Sequence, residues 1–370
     1  MKKIVGIIGA ALLASSIFAV DFSAGVRLDG SLFNYTASKN AGSTITALKE
    51  RHDNEFYHAP IAFAVSGDKA GGTLKLTDQA GDAVKTGAWS IWFKPLDMVK
   101  ITVGGHDFAL NQEHIGWCNS ESHLETTGYA VNFALDAFQM NLILNPGNDT
   151  PWFKKAGTAD ADIKELAATF GYSADFGTIN AFFDTAASFA NYRFALGYNA
   201  GSLLPVNLWV NVIGYAADKF KEFKAIRGEV DVATNFGSIG WELFVAGGYN
   251  MKSMDGFNKN FGGSEDWHVG YAKKAKAPFC GFYTKFSIPV NVLGVYVELK
   301  SPDVLADDKN FEIKPGFTVN VGACAINLAL DAKLDLVSEK DKLDDFGRKQ
   351  GGADATKVTI DIPVEFKVNF

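Results

Sequence analysis

The densest group of side chains that could do chemistry lies in one polar stretch of the chain. Histidine, cysteine and carboxylate side chains are the types that bind zinc or activate a nucleophile. The stretch contains His106, Asp107, Glu113, His114, Cys118, Glu121 and His123. Their spacing matches none of the compact zinc signatures, and a long polar connection carries such residues by default. We therefore interpret the group as a polar connection and predict no metal site there.

Other signatures of catalysis are missing from the sequence. It contains no glycine-rich phosphate loop, no G-x-S-x-G elbow and no Ser-x-x-Lys arrangement in a catalytic context. The three cysteines, Cys118, Cys280 and Cys324, are far apart and show no metal-type spacing. We predict that the protein is not an enzyme and that it needs no cofactor.

A second set of charged side chains falls at every second position of apolar segments. In the segment 22–32, for example, Arg27 and Asp29 lie between apolar residues, so charged and apolar side chains occupy opposite faces of a strand. Burying many charges in a packed core is prohibitively costly, so these residues should face water in an interior. The candidates to line that interior are Arg27, Asp29, Lys75, Lys100, Arg193, Arg227, Glu229, Asp231, Lys285, Asp331, Lys333, Asp335, Asp361 and Glu365.

The arrangement of these charges has two interpretations. The cations could form a ladder opposite the acids, which orients water and ions in a narrow passage. Alternatively, mixed charge simply keeps the interior wet. Two aromatic residues are similarly ambiguous, because Trp209 and Tyr215 share a face with Asn207 and Asn211. They could form an internal stacking track for sugars, but we favour a place in the aromatic belts at membrane boundaries.

The last segment of the chain shows which elements carry these residues. Apolar residues alternate with polar ones without a break from Val358 to Phe370, where the sequence ends. A terminal strand with an open edge would promote aggregation. In a closed barrel, the last strand pairs with the first and no edge remains. The pattern therefore predicts an all-β, antiparallel transmembrane barrel.

The beginning of the chain predicts export. Met1, Lys2 and Lys3 give a positive start, an apolar run covers 4–13, and small residues lead to a cleavage site after Ala19. The apolar run is too short to span a bilayer as a helix. We predict a signal peptide at residues 1–19 and a single barrel domain at residues 20–370.

Composition excludes some classes of function. The formal net charge is −7, so an acidic chain like this one is a poor candidate for binding nucleic acid. After the leader, no stretch approaches the roughly 20 apolar residues of a transmembrane helix. The 30 phenylalanines and 37 glycines suit a β-rich chain with an aromatic outer surface and close strand contacts.

Short and long connections alternate along the chain, as in membrane barrels with short periplasmic turns and long extracellular loops. The pairing predicts 18 strands, and a weak strand at 72–77 leaves 16 open. A barrel of this size is too wide for side chains to fill. The predicted short turns lie at 67–71, 94–97, 135–138, 173–177, 198–204, 235–238, 287–291 and 322–325, and the long segments at 34–56, 107–124, 145–162, 216–223, 250–276, 301–310 and 338–356.

The terminal strand resembles the C-terminal targeting signal of bacterial outer-membrane β-barrels, carried here by Val364, Phe366, Val368 and Phe370. The hairpin at 89–104 is similar to one in porin-like barrels of spirochaetes. The resemblance implies an outer-membrane porin in contact with lipid. It also implies handling by periplasmic chaperones and the barrel-insertion machinery, and passive diffusion of small hydrophilic solutes or ions.

Several expectations follow from the porin hypothesis. The acidic balance predicts a mild cation preference, one of the segments 107–124 and 250–276 is expected to constrict the passage, and a homo-oligomer is possible. The alternatives are a surface adhesin or structural barrel that uses 34–56 and 250–276, a transporter of hydrophobic ligands, and a secreted β-sandwich. The transporter would need a plug, and no plug-sized segment precedes the first strand.

Overall fold

The computed structural model describes the chain at residues 19–38, 42–50, 57–58, 61–77, 85–109, 123–145, 165–186, 190–254, 275–306, 309–336 and 357–369. These residues form strands and turns, with one short 3-10 turn at Gly201–Leu203. No helix within them is long and apolar enough to cross a membrane.

The described part of the chain contains 21 strand segments, all in one antiparallel sheet. Their bounds are β1 Ala19–Ser38, β2 Gly42–Glu50, β3 Tyr57–His58, β4 Ile61–Ser66, β5 Ala70–Thr77, β6 Lys85–Leu96, β7 Val99–Ala109, β8 His123–Leu135, β9 Phe138–Asn145, β10 Glu165–Ala174, β11 Gly177–Ala186, β12 Asn191–Asn199, β13 Asn207–Ala217, β14 Glu222–Phe236, β15 Ile239–Asn250, β16 Ala277–Val290, β17 Leu293–Ser301, β18 Lys309–Val321, β19 Cys324–Ala329, β20 Asp331–Leu336 and β21 Lys357–Asn369.

The sheet closes on itself through its first and last strands. Val26 of β1 lies opposite Val368 of β21, and the pairing continues to Ser38 opposite Lys357, with a bulge between Ser31 and Asn34. The other edge of β1 pairs in turn with β2, β3 and β4. The terminal strand therefore has a partner on each side, which confirms the predicted barrel closure.

The 21 segments occupy eighteen positions around the barrel. The segments β2, β3 and β4 share one position, because each pairs with a different part of β1. Likewise β19 and β20 together fill the single position between β18 and β21. Every other segment has its own position. The count agrees with the predicted 18 strands rather than 16.

Short turns join the strands at one end of the barrel. Most connections at the other end are longer, with exceptions at 39–41, 187–190 and 218–221. The short turns lie at 67–69, 97–98, 136–137, 175–176, 200–206, 237–238, 291–292 and 322–323. Both ends of the described chain lie at the same end as these turns, since Ala19 pairs beside the turn at 67–69 and Asn369 pairs with Gly25. The predicted alternation is therefore confirmed for most connections, but the long segment expected at 216–223 is only a short turn at 218–221, because β13 runs to Ala217 and β14 begins at Glu222.

Some predicted boundaries differ from the structure. The segment 34–56 was expected to be a loop, but β1 continues to Ser38 and forms a hairpin with β2. The polar residues there include several threonines, which suit a strand as well as a loop. The turn expected at 287–291 begins later, because β16 runs to Val290.

The outer face is apolar and aromatic, as the surface of a membrane barrel must be. Its exposed side chains include Ile91, Phe93, Val131, Leu142, Phe170, Leu196, Val212, Ile226, Val230, Phe286, Ile288, Val295, Ile313 and Phe366. Aromatic rings pack together near both ends. Phe138 packs edge-on against Phe170 beside the short turns, and Tyr192 stacks on Phe220, 4.1 Å between ring centroids, at the opposite end.

Candidate functional site

The candidate site is the inner face of the barrel. In β14, the buried residues Arg227, Glu229 and Asp231 alternate with the exposed Ile226 and Val230. Of the predicted interior residues, the structure places the following on the inner face: Lys100, Arg193, Arg227, Glu229, Asp231, Lys285, Asp331, Lys333, Asp335, Asp361 and Glu365. The backbones of Arg27, Asp29 and Lys75 lie in β1 and β5, and their side chains lie outside the described part of the structure.

Two parts of the inner face differ in access to solvent. We call the inner faces of β8 to β15 the covered wall, because most of the side chains there are buried. We call the inner faces of β16, β17, β18 and β20 the open wall, because their lysine and glutamate side chains keep contact with solvent; Asp331 of β20 is the buried exception among the ionised residues described there. The sequence predicted that every charged residue of the inner face contacts water. On the covered wall this prediction is wrong, because the charged side chains there are buried.

On the covered wall, Arg193 of β12 and Asp184 of β11 form a buried ion pair. The Nε and Nη2 atoms of Arg193 donate to the two carboxylate oxygens of Asp184 at 3.1 and 2.8 Å. The guanidinium also lies over the ring of Phe182, 4.8 Å from its centroid. Two parallel hydrogen bonds and an aromatic face replace the water that both charges have lost.

A second buried pair lies on β14. The Nε atom of Arg227 donates to Oε1 of Glu229 at 2.7 Å, and the amide of Asn211 donates to Oε2 of the same carboxylate at 3.1 Å. Both carboxylate oxygens are therefore satisfied. Asp231 lies two residues further along β14 and is equally buried, but it takes no part in this pair.

The covered wall also carries an apolar patch. Its buried side chains include Ala130, Ile143, Ala167, Phe182, Ala195, Ile213, Tyr215, Ala217, Ala225 and Met254. Phe108 of β7 packs against this patch from the side. Met254 follows the end of β15 and is only 2% exposed. The chain therefore turns into the barrel after β15 and places Met254 on the inner wall.

Two aromatic residues on this wall correct an interpretation of the sequence. Trp209 and Tyr215 were assigned to the outer aromatic belts, but both are buried on the inner face of β13. Trp209 lies opposite Asp231 in the register of β13 and β14. Strand parity shows that Trp209 and Tyr215 share a face with the asparagines, but it does not show what surrounds that face. An aromatic side chain beside asparagines occurs both in a belt at the membrane boundary and in a polar interior. The structure favours the interior.

On the open wall, ionised side chains alternate between neighbouring strands. Nζ of Lys285 lies 3.2 Å from Oε1 of Glu298, and Nζ of Lys314 lies 4.0 Å from Oε2. The side chains of these three residues are 32%, 21% and 27% exposed. A carboxylate on β17 thus bridges lysines on the two adjacent strands while all three groups remain hydrated.

The same alternation continues on the next strands. Nζ of Lys333 on β20 lies 3.7 Å from Glu312 of β18 and 3.3 Å from Asp331. Cations and acids are therefore neighbours on one wall rather than partners on opposite walls. Among the described residues, the structure favours the mixed arrangement of charge over a segregated ladder.

The seam between the last and first strands holds the remaining predicted acids. The hydroxyl of Ser31 donates to Asp361 across the β1–β21 pairing. The amide of Asn327 donates to Glu365 at 3.1 Å. Asp335 lies opposite Lys357 in the register of β20 and β21. The first contact crosses the closure between β1 and β21, and the other two join β21 to β19 and β20.

A turn of chain after β17 covers one end of the open wall. The carboxylate of Asp303 accepts hydrogen bonds from the backbone N–H groups of Cys280 and Leu305, both at 3.0 Å. Burial raises the pKa of Asp303, and these hydrogen bonds act in the opposite direction. The contact fixes the chain at the point where it leaves the barrel.

A neutral stretch of the inner face overlaps the covered wall at β8 to β10. Thr73 and Ser90 share a hydrogen bond of 2.8 Å, and on the next strands Asn132 donates to Asn141 and Asn141 to Thr169 at 2.5 and 2.7 Å. These hydrogen bonds between neighbouring strands satisfy the polar side chains without using charged groups. They lie on β5 to β10, away from the lysines of the open wall.

The ligand-like histidine group is only partly within the described residues. His106 lies in β7, with Nε2 3.2 Å from the carbonyl oxygen of Gly128, and His123 begins β8. Glu113, His114, Cys118 and Glu121 lie outside the described ranges. Within those ranges, no three or more His, Cys, Asp and Glu side chains form a group that could hold a metal ion.

Several residues of the site were missing from the sequence-based candidates. Asp184 and Met254 were not singled out, and Asn211 was named only as sharing a face with Trp209, although strand parity places Asp184 and Asn211 on the inner face. Asp184 becomes significant only through its position opposite Arg193 across β11 and β12. Strand pairing of this kind is the signal that would have found it.

Comparison with solved structures places this architecture among outer-membrane porins. The chain is similar to OpdL of Pseudomonas aeruginosa, with 8% identity over 95% of this chain and 99% of that chain and a TM-score of 0.54. It is similar to OpdQ of the same organism (8%, 95% and 98%, TM-score 0.52) and to its OprD (9%, 95% and 95%, TM-score 0.52). No protein-family model matches the chain, and no curated protein matches it in sequence. At these identities the similarity shows the fold, which is a porin-type β-barrel.

Proposed function

We propose that this chain is an outer-membrane porin that lets small hydrophilic solutes or ions diffuse passively. The observation that supports this function is the open wall, whose lysine and glutamate side chains remain hydrated inside a closed barrel of eighteen strand positions. Ionised groups are stable in a membrane protein when they face water. A water-filled passage along this wall gives the groups that environment.

The proposed mechanism is sieving by width, with selectivity set by the lining charges. The covered wall fills part of the barrel, so solutes would pass along the inner faces of β16, β17, β18 and β20. Met254 and Phe108, which pack on the apolar patch, would narrow the passage on the opposite side. Balanced Lys–Glu pairs favour a small net selectivity, and the net charge of −7 favours cations.

The remaining expectations belong to the same proposal. Residues 1–19 would be removed on export, and chaperones and the insertion machinery would recognise Val364, Phe366, Val368 and Phe370. The short turns would face the periplasm, and the outer aromatic rings would contact membrane lipid. The hairpin at 89–104 supports a relation to porin-like barrels of spirochaetes. No bond chemistry is involved, and a homo-oligomer remains compatible with the barrel.

Planar-bilayer recording tests the function. Purified, folded protein should give discrete conductance steps, and a salt gradient should give a small reversal potential of cation-selective sign. Glu298→Cys should make the current sensitive to a charged thiol reagent, because Glu298 lies in the proposed passage. The measurement needs a background in which the three native cysteines are replaced by alanine.

Val295→Cys is the matched control. Val295 lies on the same strand with its side chain on the outer face, 41% exposed. The same reagent should leave the current of that variant unchanged. Folded protein without conductance steps would contradict the channel, and equal inhibition at positions 295 and 298 would contradict the placement of the passage.

A further inference from the structure

We propose that the covered wall binds a divalent cation of the Ca²⁺ type between Asp231 of β14 and Asn211 of β13. The site lies away from the open wall and plays no part in the passage of solutes. Three observations support it: an uncompensated carboxylate, a second unpaired oxygen beside it, and an excess of negative charge around both.

The first observation concerns Asp231. Its side chain is 2% exposed, and Oδ2 has no hydrogen-bond partner. The carboxylates of Glu229 and Glu242 both repel it, and no cationic side chain among the described residues attracts it. A buried charge without a partner is strongly unfavourable, so an ionised Asp231 requires a positive charge from outside the chain.

The second observation concerns Asn211, which is 1% exposed. Its amide nitrogen donates to Glu229, and this bond leaves Oδ1 available. That oxygen has no hydrogen-bond partner either. A buried amide oxygen is normally hydrogen-bonded, so two such orphan oxygens on adjacent strands need a common explanation.

The register places Asn211 and Asp231 near each other. Asn211 lies opposite Glu229, and Trp209 lies opposite Asp231. Asn211 and Asp231 are therefore diagonal neighbours on one face, at a separation of about 7–8 Å in antiparallel sheets. Two such side chains can reach one Ca²⁺ ion, whose oxygen ligands lie about 2.3–2.6 Å away.

The charge balance favours a divalent ion. Glu229, Asp231 and Glu242 carry three negative charges here. Arg227 compensates Glu229, and Lys285, which lies opposite Glu242 in the register, is shared with Glu298, so Asp231 is left without a cationic partner among the described residues. Carboxylate and amide oxygens are the hard ligands that Ca²⁺ prefers, and water commonly completes its coordination. In this arrangement, Asp231 and Asn211 bind directly, while Glu229 and Glu242 contribute charge from further away.

Terbium luminescence gives a direct test, because Tb³⁺ replaces Ca²⁺ at oxygen sites and emits when a nearby tryptophan absorbs. Trp209 lies opposite Asp231 in the register and provides that antenna. The barrel is folded in detergent with Tb³⁺ present, since the site is buried. We expect tryptophan-sensitised emission that added Ca²⁺ displaces.

Three variants identify the site. Asp231→Asn should reduce the emission at least tenfold, while Asp361→Asn, at a buried aspartate that Ser31 already contacts, should leave it unchanged. Trp209→Phe should dim the emission but preserve the rise in thermal unfolding temperature that Ca²⁺ causes. All four proteins are compared only where circular dichroism shows a folded barrel.

The alternative is a protonated Asp231 that donates a hydrogen bond to Oδ1 of Asn211. It predicts no sensitised emission and an unfolding temperature that Ca²⁺ does not change. That result would overturn the cation site, as would emission that survives Asp231→Asn. Neither readout depends on conductance, so failure here leaves the channel proposal untouched, and loss of conductance leaves this site untouched.

Discussion

The covered and open walls are built from the same strand pattern, yet they treat charge differently. The covered wall uses arginine, in Arg193 with Asp184 and Arg227 with Glu229, and these side chains are almost fully buried. The open wall uses lysine, as in Lys285 with Glu298, and its side chains stay partly exposed. Both walls carry ion pairs, so the presence of charged residues alone does not show which wall is exposed to water.

The difference follows from the chemistry of the two cations. A guanidinium is weakly hydrated and forms two parallel hydrogen bonds with a carboxylate, so it tolerates burial when it is fully paired. An ammonium is strongly hydrated and acts as a point charge. Lysines therefore suit a wall that solvent reaches, and the choice between arginine and lysine on an inner face indicates which part of a barrel is filled.

The largest expected effect comes from breaking the buried pair. Arg193→Met leaves Asp184 buried without its bidentate partner, which should cost about 3–5 kcal/mol of folding free energy. The matched change on the open wall, Lys285→Met, should cost less than about 1 kcal/mol, because water solvates Glu298. Urea unfolding of detergent-folded protein measures both.

A double variant separates pairing from packing in this experiment. Arg193→Met combined with Asp184→Leu removes both charges and should recover much of the loss, since a buried pair can be replaced by apolar residues of similar volume. Similar losses from Arg193→Met and Lys285→Met would show that the two walls do not differ in burial.

The alternation on which the fold depends could be predicted from the sequence, because strand period is a local property of the chain. Closure and the eighteen positions follow from it, whereas connection length does not, since the long segment expected at 216–223 is a short turn at 218–221. The β1–β2 hairpin was assigned to a loop because its residues are polar, whereas the structure pairs them. Threonine and serine residues do not separate a loop from an exposed hairpin.

The division into two walls could not be predicted in the same way. Parity places Arg193 and Lys285 on the inner face but does not show what lies over them. Trp209 was misassigned for the same reason, since its face was known and its surroundings were not. Asp184 and Met254 gain their roles from pairing and packing between segments distant in the sequence. These contacts exist only in the folded barrel.

An effect of intermediate size is expected on ion selectivity, which should depend on charges of the open wall and not on charges of the covered wall. Glu298→Gln removes the carboxylate between Lys285 and Lys314 and leaves one additional positive charge on the open wall. The reversal potential in a salt gradient should shift towards anions, while the folding free energy changes by less than about 1 kcal/mol.

Glu229→Gln is the matched change on the covered wall. That carboxylate is buried against Arg227 and Asn211, so its loss should lower stability and leave the reversal potential unaltered. A selectivity shift from Glu229→Gln, or none from Glu298→Gln, would reverse the assignment of the two walls.

The smallest effect is expected where an ion pair is exposed at the short turns. Lys69 binds Asp97, and its hydrogen bond and charge lower the pKa of Asp97 below the ordinary value of 3.8. Because the folded-state pKa is lowered, the pair stabilises the barrel above the ordinary pKa and loses this effect as pH falls through the lowered one. Because both side chains are exposed to solvent, this ion pair should stabilise the barrel less than the ion pairs of either wall.

The pH dependence of Lys69→Met tests this limit. The variant should be slightly less stable than the parent at neutral pH, and the difference should vanish in acid, where Asp97 is protonated in both proteins. Lys221→Met, at an exposed turn on the opposite end of the barrel, removes the same charge and should show no such pH dependence. A stability difference that persists below the lowered pKa would mean that Lys69 acts through packing rather than charge. In that case, the contribution of an ion pair would not decrease from the covered wall to the open wall to the exposed turns.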